Sequence, residues 1–195
     1  MSAILSRHGQ RAAIWRSWIR GLVTIAVVSV LAAAIPASAA PLEAFYGAYS
    51  GSADVIETDG TTIPRDMSVE IAGLERDRFL VSWTSVTFRT DGRVKEKSYT
   101  IEFKPADRPG VYAAAQTRNV FGHEVQFDPM SGEPFVWARI VDDTMTVFSL
   151  FVGDDGGYEM QQFDRTLEAD GLHLSFSRVR NGEILKTVEA DLVRD

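Results

Sequence analysis

The stretch Phe135–Val193 decides the fold. It reads FVWARIVDD (135–143), TMTVFSLFVGDDGG (144–157), YEMQQFDRTLEADG (158–171), LHLSFSRVRNG (172–182) and EILKTVEADLV (183–193). These are five extended, partly alternating segments separated by Asp/Gly or Asn/Gly turns, of which Asn181-Gly182 is the strongest hairpin signal because both residue types tolerate positive φ. Strands joined by such short turns pair antiparallel, since a parallel return needs a crossover of about a dozen residues. The stretch therefore predicts an antiparallel meander.

Five more strands are predicted upstream, at residues 45–56, 66–73, 78–88, 94–103 and 111–117. In the fourth of these, Lys95 and Lys97 share a face with Tyr99, so their stems are expected to cover apolar surface while their ammonium groups reach water. No segment shows helical periodicity beyond one turn. We therefore predict one all-β domain, an antiparallel up-and-down barrel of about 8–10 strands, with a two-sheet β-sandwich as the alternative.

The first forty residues differ from the rest of the chain. Four arginines precede the uncharged run from Leu22 to Ile35, and Pro36-Ala37-Ser38-Ala39 follows it. A basic leader, an apolar helix and an A-x-A site at Ala37 and Ala39 are typical of a secretory signal peptide. We expect residues 1–39 to be this signal, cleaved after Ala39, and residues 40–195 to be the single domain. The apolar run is shorter than the roughly 20 residues that span a bilayer, so no membrane span is expected after cleavage.

Charge and cysteine content narrow the class of protein. The chain has 20 Lys and Arg, 27 Asp and Glu, and no Cys. Four of the basic residues and none of the acidic ones lie in the leader, so 16 basic residues face 27 acidic ones in the mature chain. This balance argues against nucleic acid as a partner. Without disulfides, the fold must be stabilised by its core. We expect a soluble periplasmic or secreted protein.

Gly47-Ala48-Tyr49 lies in the first predicted strand, directly after one expected helical turn. Glycines inside a strand mark a bend or a close backbone approach. The arrangement resembles the opening of the lipocalin and calycin superfamily, where a short helical turn leads into a first strand with a Gly-x-Trp motif; Tyr49 stands in the position of the Trp. The resemblance implies a barrel closed at one end by an arginine of a late strand, Arg178 or Arg180, over Tyr49. A bent first strand without this kinship is the alternative.

Three predicted strands carry an arginine on the same side as large apolar residues. The sets are Phe135, Trp137, Arg139 and Val141; Phe163, Arg165 and Leu167; and Leu172, Leu174, Phe176 and Arg178. An inward guanidinium needs a carboxylate, a backbone acceptor or an anionic ligand. We predict that Trp137, Arg139 and Arg165 contribute to ligand binding, the alternative being an arginine that reaches out of the barrel mouth. For Arg178 we favour the closing role.

Residues 116–134 interrupt the strand pattern with two glycines and two prolines. Loops longer than about 12 residues are often lids or binding loops. Arg118 and His123 lie in this segment and complete our set of predicted ligand-binding residues. The alternative is a strand connection whose aromatic side chains close one end of the barrel.

Signals for catalysis or metal binding are weak. Gly47–Gly51 has one residue too many for a G-x-S-x-G nucleophile elbow. Adjacent aspartates such as Asp142-Asp143 and Asp154-Asp155 lack the spacing of a calcium loop. His173 is expected to point outward with Ser175 and Ser177. We therefore expect no catalytic residue, no metal and no cofactor.

The sequence favours an exported, non-enzymatic barrel that binds a small hydrophobic or amphipathic ligand. The first alternative is an envelope module that binds a protein partner, with exposed aromatic side chains at Phe121, Phe127 and Phe135. The second is a hydrolase-type enzyme, which requires a cleft in which His123 meets a carboxylate or a hydroxyl group.

Overall fold

A computed structural model of the chain describes residues 39–56, 60–115, 117–118, 124–125 and 127–195, with the backbone alone at 117–118 and 124–125. Residues 1–38, with the predicted signal helix and Ala37, lie outside the described residues. Cleavage after Ala39, which is described and exposed, stays a prediction. Within the described ranges, no helix has the length and apolar character needed to cross a membrane.

The described residues contain twelve strands and two short 3₁₀-helices. The strands are β1 (Gly47–Ile56), β2 (Thr62–Gly73), β3 (Phe79–Phe88), β4 (Val94–Pro105), β5 (Val111–Ala114), β6 (Thr117–Arg118), β7 (Glu124–Val125), β8 (Phe135–Val141), β9 (Thr144–Val152), β10 (Tyr158–Glu168), β11 (Gly171–Arg180) and β12 (Glu183–Arg194). The 3₁₀-helices span Leu42–Phe45 and Pro129–Ser131.

Ten strands form one closed antiparallel barrel, in the order β1-β12-β11-β10-β9-β8-β5-β4-β3-β2. Neighbouring strands of the barrel are consecutive in the chain, except for two pairs: β12 beside β1, and β5 beside β8. The predicted up-and-down barrel is confirmed, and the sandwich alternative is not what the chain forms. β6 and β7 make a separate two-stranded sheet inside the predicted loop 116–134.

The hairpin between β11 and β12 forms at Asn181-Gly182, as predicted. Both residues have positive φ, 50° and 87°, which suits the twist of a two-residue hairpin loop. The Asn181 side-chain oxygen also accepts a hydrogen bond from the Tyr158 backbone N–H at 2.9 Å. The turn therefore ties the β11–β12 hairpin to the start of β10.

Side chains that point into the barrel fill one end of it. At this closed end, Phe45, Tyr49, Phe79 and Phe103 are fully buried, and the Phe79 and Phe103 rings stack with centroids 5.1 Å apart. The opposite end, where the turns at 89–93 and 153–157 lie, is called the mouth below. Apolar packing at the closed end supplies the core that a chain without cysteine needs.

The barrel closes where the end of β12 pairs with β1, Tyr49 opposite Arg194. The Tyr49 hydroxyl donates to the Phe45 carbonyl oxygen at 3.0 Å. The Arg194 guanidinium lies 4.8 Å from the centre of the Tyr49 ring and donates to the Tyr46 carbonyl oxygen at 2.7 Å. The first and last strands are thus joined by the cation–π contact of Arg194 with Tyr49 and by side-chain hydrogen bonds, as well as by the backbone pairing of β1 with β12.

This geometry corrects the prediction that Arg178 or Arg180 closes the barrel over Tyr49. Neither Arg178 nor Arg180 lies over Tyr49, because both belong to β11, whose neighbours are β10 and β12. The arginine that covers Tyr49 is Arg194, since the last strand is the one that reaches β1. Tyr49 itself is fully buried at this seam, and its closing role stays a prediction.

Gly51 shows why β1 carries glycine near the seam. A Cβ atom at this position would lie 2.3 Å from the Asp191 carbonyl oxygen of β12. No side chain fits such a contact without moving the backbone of one strand. The glycine therefore marks a close backbone approach, as the sequence predicted.

Replacing Tyr49 tests the seam. Tyr49→Ala is expected to lower the free energy of unfolding by about 3–5 kcal/mol, because it leaves a cavity under Arg194. Tyr49→Phe keeps the ring and loses only the bond to Phe45, so it should cost about 1 kcal/mol. Urea unfolding followed by circular dichroism measures both. Equal losses in the two variants would contradict a seam held mainly by the ring.

Candidate functional site

The mouth half of the barrel encloses a cavity of about 670 Å³. Ligand pockets in proteins span roughly 300–1,000 Å³. Four aromatic side chains form a continuous wall: Trp83 stacks on Tyr99 with centroids 5.2 Å apart, Phe163 lies 5.5 Å from Trp83, and Phe176 lies 4.7 Å from Phe163. The cavity has the size and the apolar wall needed for a small molecule.

Arg165 lies in this wall as a fully buried cation. It is 2% exposed, and its guanidinium carbon lies 5.9 Å from the centre of the Trp83 ring and 5.6 Å from that of Phe163. Within the described ranges, its Nε and Nη1 atoms have no hydrogen-bond partner. The sequence predicted this inward direction from the alternation of Phe163, Arg165 and Leu167.

Burial lowers the pKa of Arg165 to about 10, and the charge of neighbouring Asp164 opposes that shift. Arg165 is therefore protonated at neutral pH. Asp164 does not reach it, because successive residues of a strand point to opposite faces. On the outer face Asp164 accepts hydrogen bonds from Thr146 and Gln162, each at 2.6 Å. Within the described ranges, no carboxylate forms an ion pair with Arg165 inside the cavity.

Arg178 also points into the barrel, but it has a partner. Its Nε and Nη2 atoms each donate to one Glu159 oxygen at 2.6 Å, a bidentate pair. Burial disfavours the ionised form of Glu159, yet hydrogen bonds from Arg178 and Gln161 outweigh it and hold the Glu159 pKa below its ordinary value. Both groups are ionised and their charges cancel, so Arg178 does not need an additional anion.

The charges around the cavity are strongly one-sided. Seven cationic side chains and one carboxylate line it in the described part of the chain: Arg65, Arg89, Lys95, Lys97, Arg165, Arg178, Lys186 and Asp91. The carboxylate is already bound, since Arg93 Nε donates to it at 2.7 Å. The whole chain has a net charge of −7. An acidic protein therefore places seven of its 20 basic side chains around one cavity.

Trp137 and Arg139, predicted to bind ligand from inside, lie on the outer face. The buried residues of β8 are Val136, Ala138 and Ile140. Trp137 stacks on Phe148 across the outer surface at 4.8 Å, and Arg139 lies 5.5 Å from the same ring. The prediction was wrong because both faces of β8 are apolar, so alternation did not decide which face is inward.

The remaining candidates from the 116–134 segment stay predictions. His123 and Phe121 lie outside the described residues, and of Arg118 only the backbone is described. Phe127 is half-buried. Phe135 belongs to the outer aromatic surface, with its ring 5.7 Å from that of Trp137.

Sequence reasoning missed the cavity residues of β3 and β4. Alternation placed Lys95, Lys97 and Tyr99 on one face, and placed Trp83 with Phe79 and Val81 on another. It did not show that these two faces meet across the β3–β4 ladder, where Trp83 pairs with Tyr99. The odd-numbered residues of both β3 and β4 point inward. This shared direction can be recognised only when the register of the hairpin is known.

A second polar cluster lies on the outside of the barrel around His173. Its Nδ1 lies 2.7 Å from an Asp191 oxygen and its Nε2 lies 3.1 Å from a Glu189 oxygen. Together with Glu168, His173 and Asp191 bring three potential ligand atoms within 4.8 Å of one another. His173 does point outward, as predicted, but neighbouring β12 supplies carboxylates that the sequence did not reveal.

Comparison with known proteins leaves the site to be argued from its own residues. No protein-family model and no curated protein matches the chain. A solved structure with some likeness is the S-type phycobiliprotein lyase CPES from Guillardia theta, with a TM-score of 0.34 and 10% sequence identity. The aligned part covers 79% of this chain and 90% of that chain. A likeness at this level supports no inference about function.

The His173 cluster is expected to make the free energy of unfolding depend on pH. The hydrogen bond to Asp191 raises the pKa of His173, partial burial opposes this, and the bond to Glu189 adds to it. Because the pKa of His173 is higher in the folded than in the unfolded state, protonated His173 stabilises the fold. This stabilisation is fully present below about pH 6.5, the unfolded pKa, and is lost as the pH rises through the folded pKa. Because the groups are exposed, the loss should be below about 1 kcal/mol.

Urea unfolding between about pH 5 and pH 9, a window that brackets the histidine pKa, measures this loss. His173→Gln should remove this component of the pH dependence, and Asp191→Asn should shift it to lower pH. An unchanged pH profile in His173→Gln would show that the cluster does not contribute.

Proposed function

We propose that the protein binds a small amphipathic molecule that carries an acid group. The acid group lies against Arg165, and the apolar body lies along the wall of Trp83, Tyr99 and Phe163. The supporting observation is that Arg165 is buried and that its Nε and Nη1 atoms have no hydrogen-bond partner among the described residues. Such a group is costly unless an anion compensates it.

The surroundings of Arg165 support an anion rather than a neutral guest. A low-dielectric wall strengthens the attraction between a guanidinium and a carboxylate. The excess of cations around the cavity attracts an anion from solution, because clefts lined by one sign of charge raise the local concentration of the opposite ion. Among the described residues, the carboxylate in the cavity lining, Asp91, is bound by Arg93, and Glu159 is bound by Arg178.

We infer an exported, non-enzymatic carrier of the calycin type, cleaved after Ala39 and located in the periplasm or secreted. The enzyme alternative depends on His123, which lies outside the described residues. The hollow interior favours a carried ligand over a purely structural role.

A protein-binding module is the second candidate, and the outer surface of β8 and β9 is the observation that favours it. Phe135, Trp137 and Phe148 form a row of rings there, beside Arg139. Aromatic residues and arginine are the types enriched where partners bind tightly. This surface does not explain Arg165, so we rank it below ligand binding.

Calorimetric titration with a matched pair of probes tests the proposal. The probes are biphenyl carrying one para-carboxylate and the same compound as its uncharged carboxamide. We expect the carboxylate to bind about tenfold to a hundredfold more tightly, because hydrogen bonds to a charged group contribute about 1.5–3 kcal/mol. Arg165→Met should remove the difference.

Arg139→Met is the control, since it removes an arginine that also lies over an aromatic ring but on the outer face. It should leave both affinities unchanged. Quenching of tryptophan fluorescence locates the probe, because it should be lost in Trp83→Phe and kept in Trp137→Phe. Equal affinities for the two probes, or quenching that follows Trp137, would rule the proposal out.

A further inference from the structure

Lysine is used very selectively in this chain. Of its four lysines, Lys95, Lys97 and Lys186 line the cavity, and Lys104 lies on the outer side of β4. Ammonium groups that serve solubility alone have no reason to gather at one opening. Their position indicates a second place, besides Arg165, where negative charge is received.

Lys95 and Lys97 stand at a defined height above Arg165. Tyr99 pairs with Trp83, whose ring contacts Arg165, and Lys97 and Lys95 lie two and four residues further along β4 toward the mouth. A strand rises about 3.4 Å per residue, so these lysines are about 7 and about 14 Å from Tyr99 along β4, and somewhat less along the barrel axis because barrel strands are tilted. Along the barrel, a second anion would be separated from the first by on the order of 10 Å.

Neither lysine is neutralised by the described chain. Glu96 and Glu102 alternate with them and point to the outer face, where Glu102 pairs with Arg78. Arg178 is different, because Glu159 holds it in a bidentate pair. Within the described residues, Lys95 and Lys97 therefore have no acidic partner, and they lie on the same face of β4 as Tyr99, whose ring continues the apolar wall.

Edge protection is the competing explanation. From Val94 to Ile101, β4 pairs with β3, while its ladder with β5 begins only at Phe103. Among the described residues, no strand pairs with this edge between Val94 and Ile101, and lysines on such an edge discourage unwanted strand pairing. That role needs the charges but no ligand, so it predicts no effect of the lysines on binding.

We propose that the ligand is a dianion, with an acid group at each end of an extended apolar body. One acid group is bound by Arg165 in the interior, and the other is bound by Lys95 and Lys97 at the mouth. This inference rests on the proposed function, which requires only the first acid group.

Calorimetry on the full chain compares biphenyl carrying one para-carboxylate with biphenyl carrying a para-carboxylate on each ring. The second compound is a rigid dianion whose acid groups are separated by a distance of the required order. It should bind about fivefold to tenfold more tightly, since two exposed lysines each contribute a modest ion pair. Replacing Lys95→Gln and Lys97→Gln together should reduce its affinity to that of the single acid and leave the single acid within about twofold.

The control replaces Lys104→Gln and Arg108→Gln, which removes the same charge away from the cavity and should preserve the preference. If the single acid binds through Arg165 and the diacid binds no more tightly, the second acid site is overturned and the proposed function stands. If the diacid is preferred but the double lysine variant keeps that preference, the assignment to β4 is overturned. If neither acid binds, the proposed function itself fails.

Discussion

Closure of the sheet between its first and last strands is the constraint on which the rest of the structure depends. Once β12 reaches β1 at Tyr49 and Gly51, the sheet has a single interior, and every second residue of every strand faces it. Large rings fill the closed end, and Arg194 covers the seam from outside the core. Toward the mouth, Lys95 and Lys97 take the inward positions, and the interior stays hollow. The packed core that stabilises the fold thus lies at the closed end of the barrel, and the cavity lies toward the mouth.

Within that cavity, Arg165 conflicts with the rules of packing. An apolar side chain of similar length would fill its place between Trp83 and Phe163 without losing hydration. The nearby Arg178 shows how the same fold satisfies an inward arginine, by placing Glu159 on the adjacent strand. Arg165 has no such neighbour, since Met145 and Leu174 are its partners across the two ladders. A buried cation without an ion-pair partner is expected to reduce stability, and residues that do so are typical of functional sites.

The sequence predicted the architecture because turn chemistry and alternation act locally. Asn181-Gly182 and the aspartate-rich turns gave the meander, and alternation gave the inward direction of Arg165. It did not give the inward face of β8, where Val136 and Ala138 compete with Phe135 and Trp137 as apolar residues.

Register over long distances was also beyond the sequence. A two-residue turn pairs Arg180 with Glu183 and would place His173 opposite Ala190. An extra residue in β12, Leu185, shifts the pairing by one, so that Asp191 lies opposite His173. The partner of Tyr49 depends likewise on which strand closes the barrel, a property of the whole sheet. Sites built across several strands therefore need the register, which local patterns do not contain.

The central claim is that Arg165 is kept for an anion and not for the fold. The most direct measurement is the free energy of unfolding of Arg165→Met and of the unaltered chain, each in urea after bound small molecules have been removed by unfolding and refolding. The account predicts that the variant is more stable by about 1–3 kcal/mol, because an uncompensated buried cation is replaced by an apolar side chain. A variant less stable by a similar amount would contradict it, since Arg165 would then hold the barrel together through its aromatic neighbours.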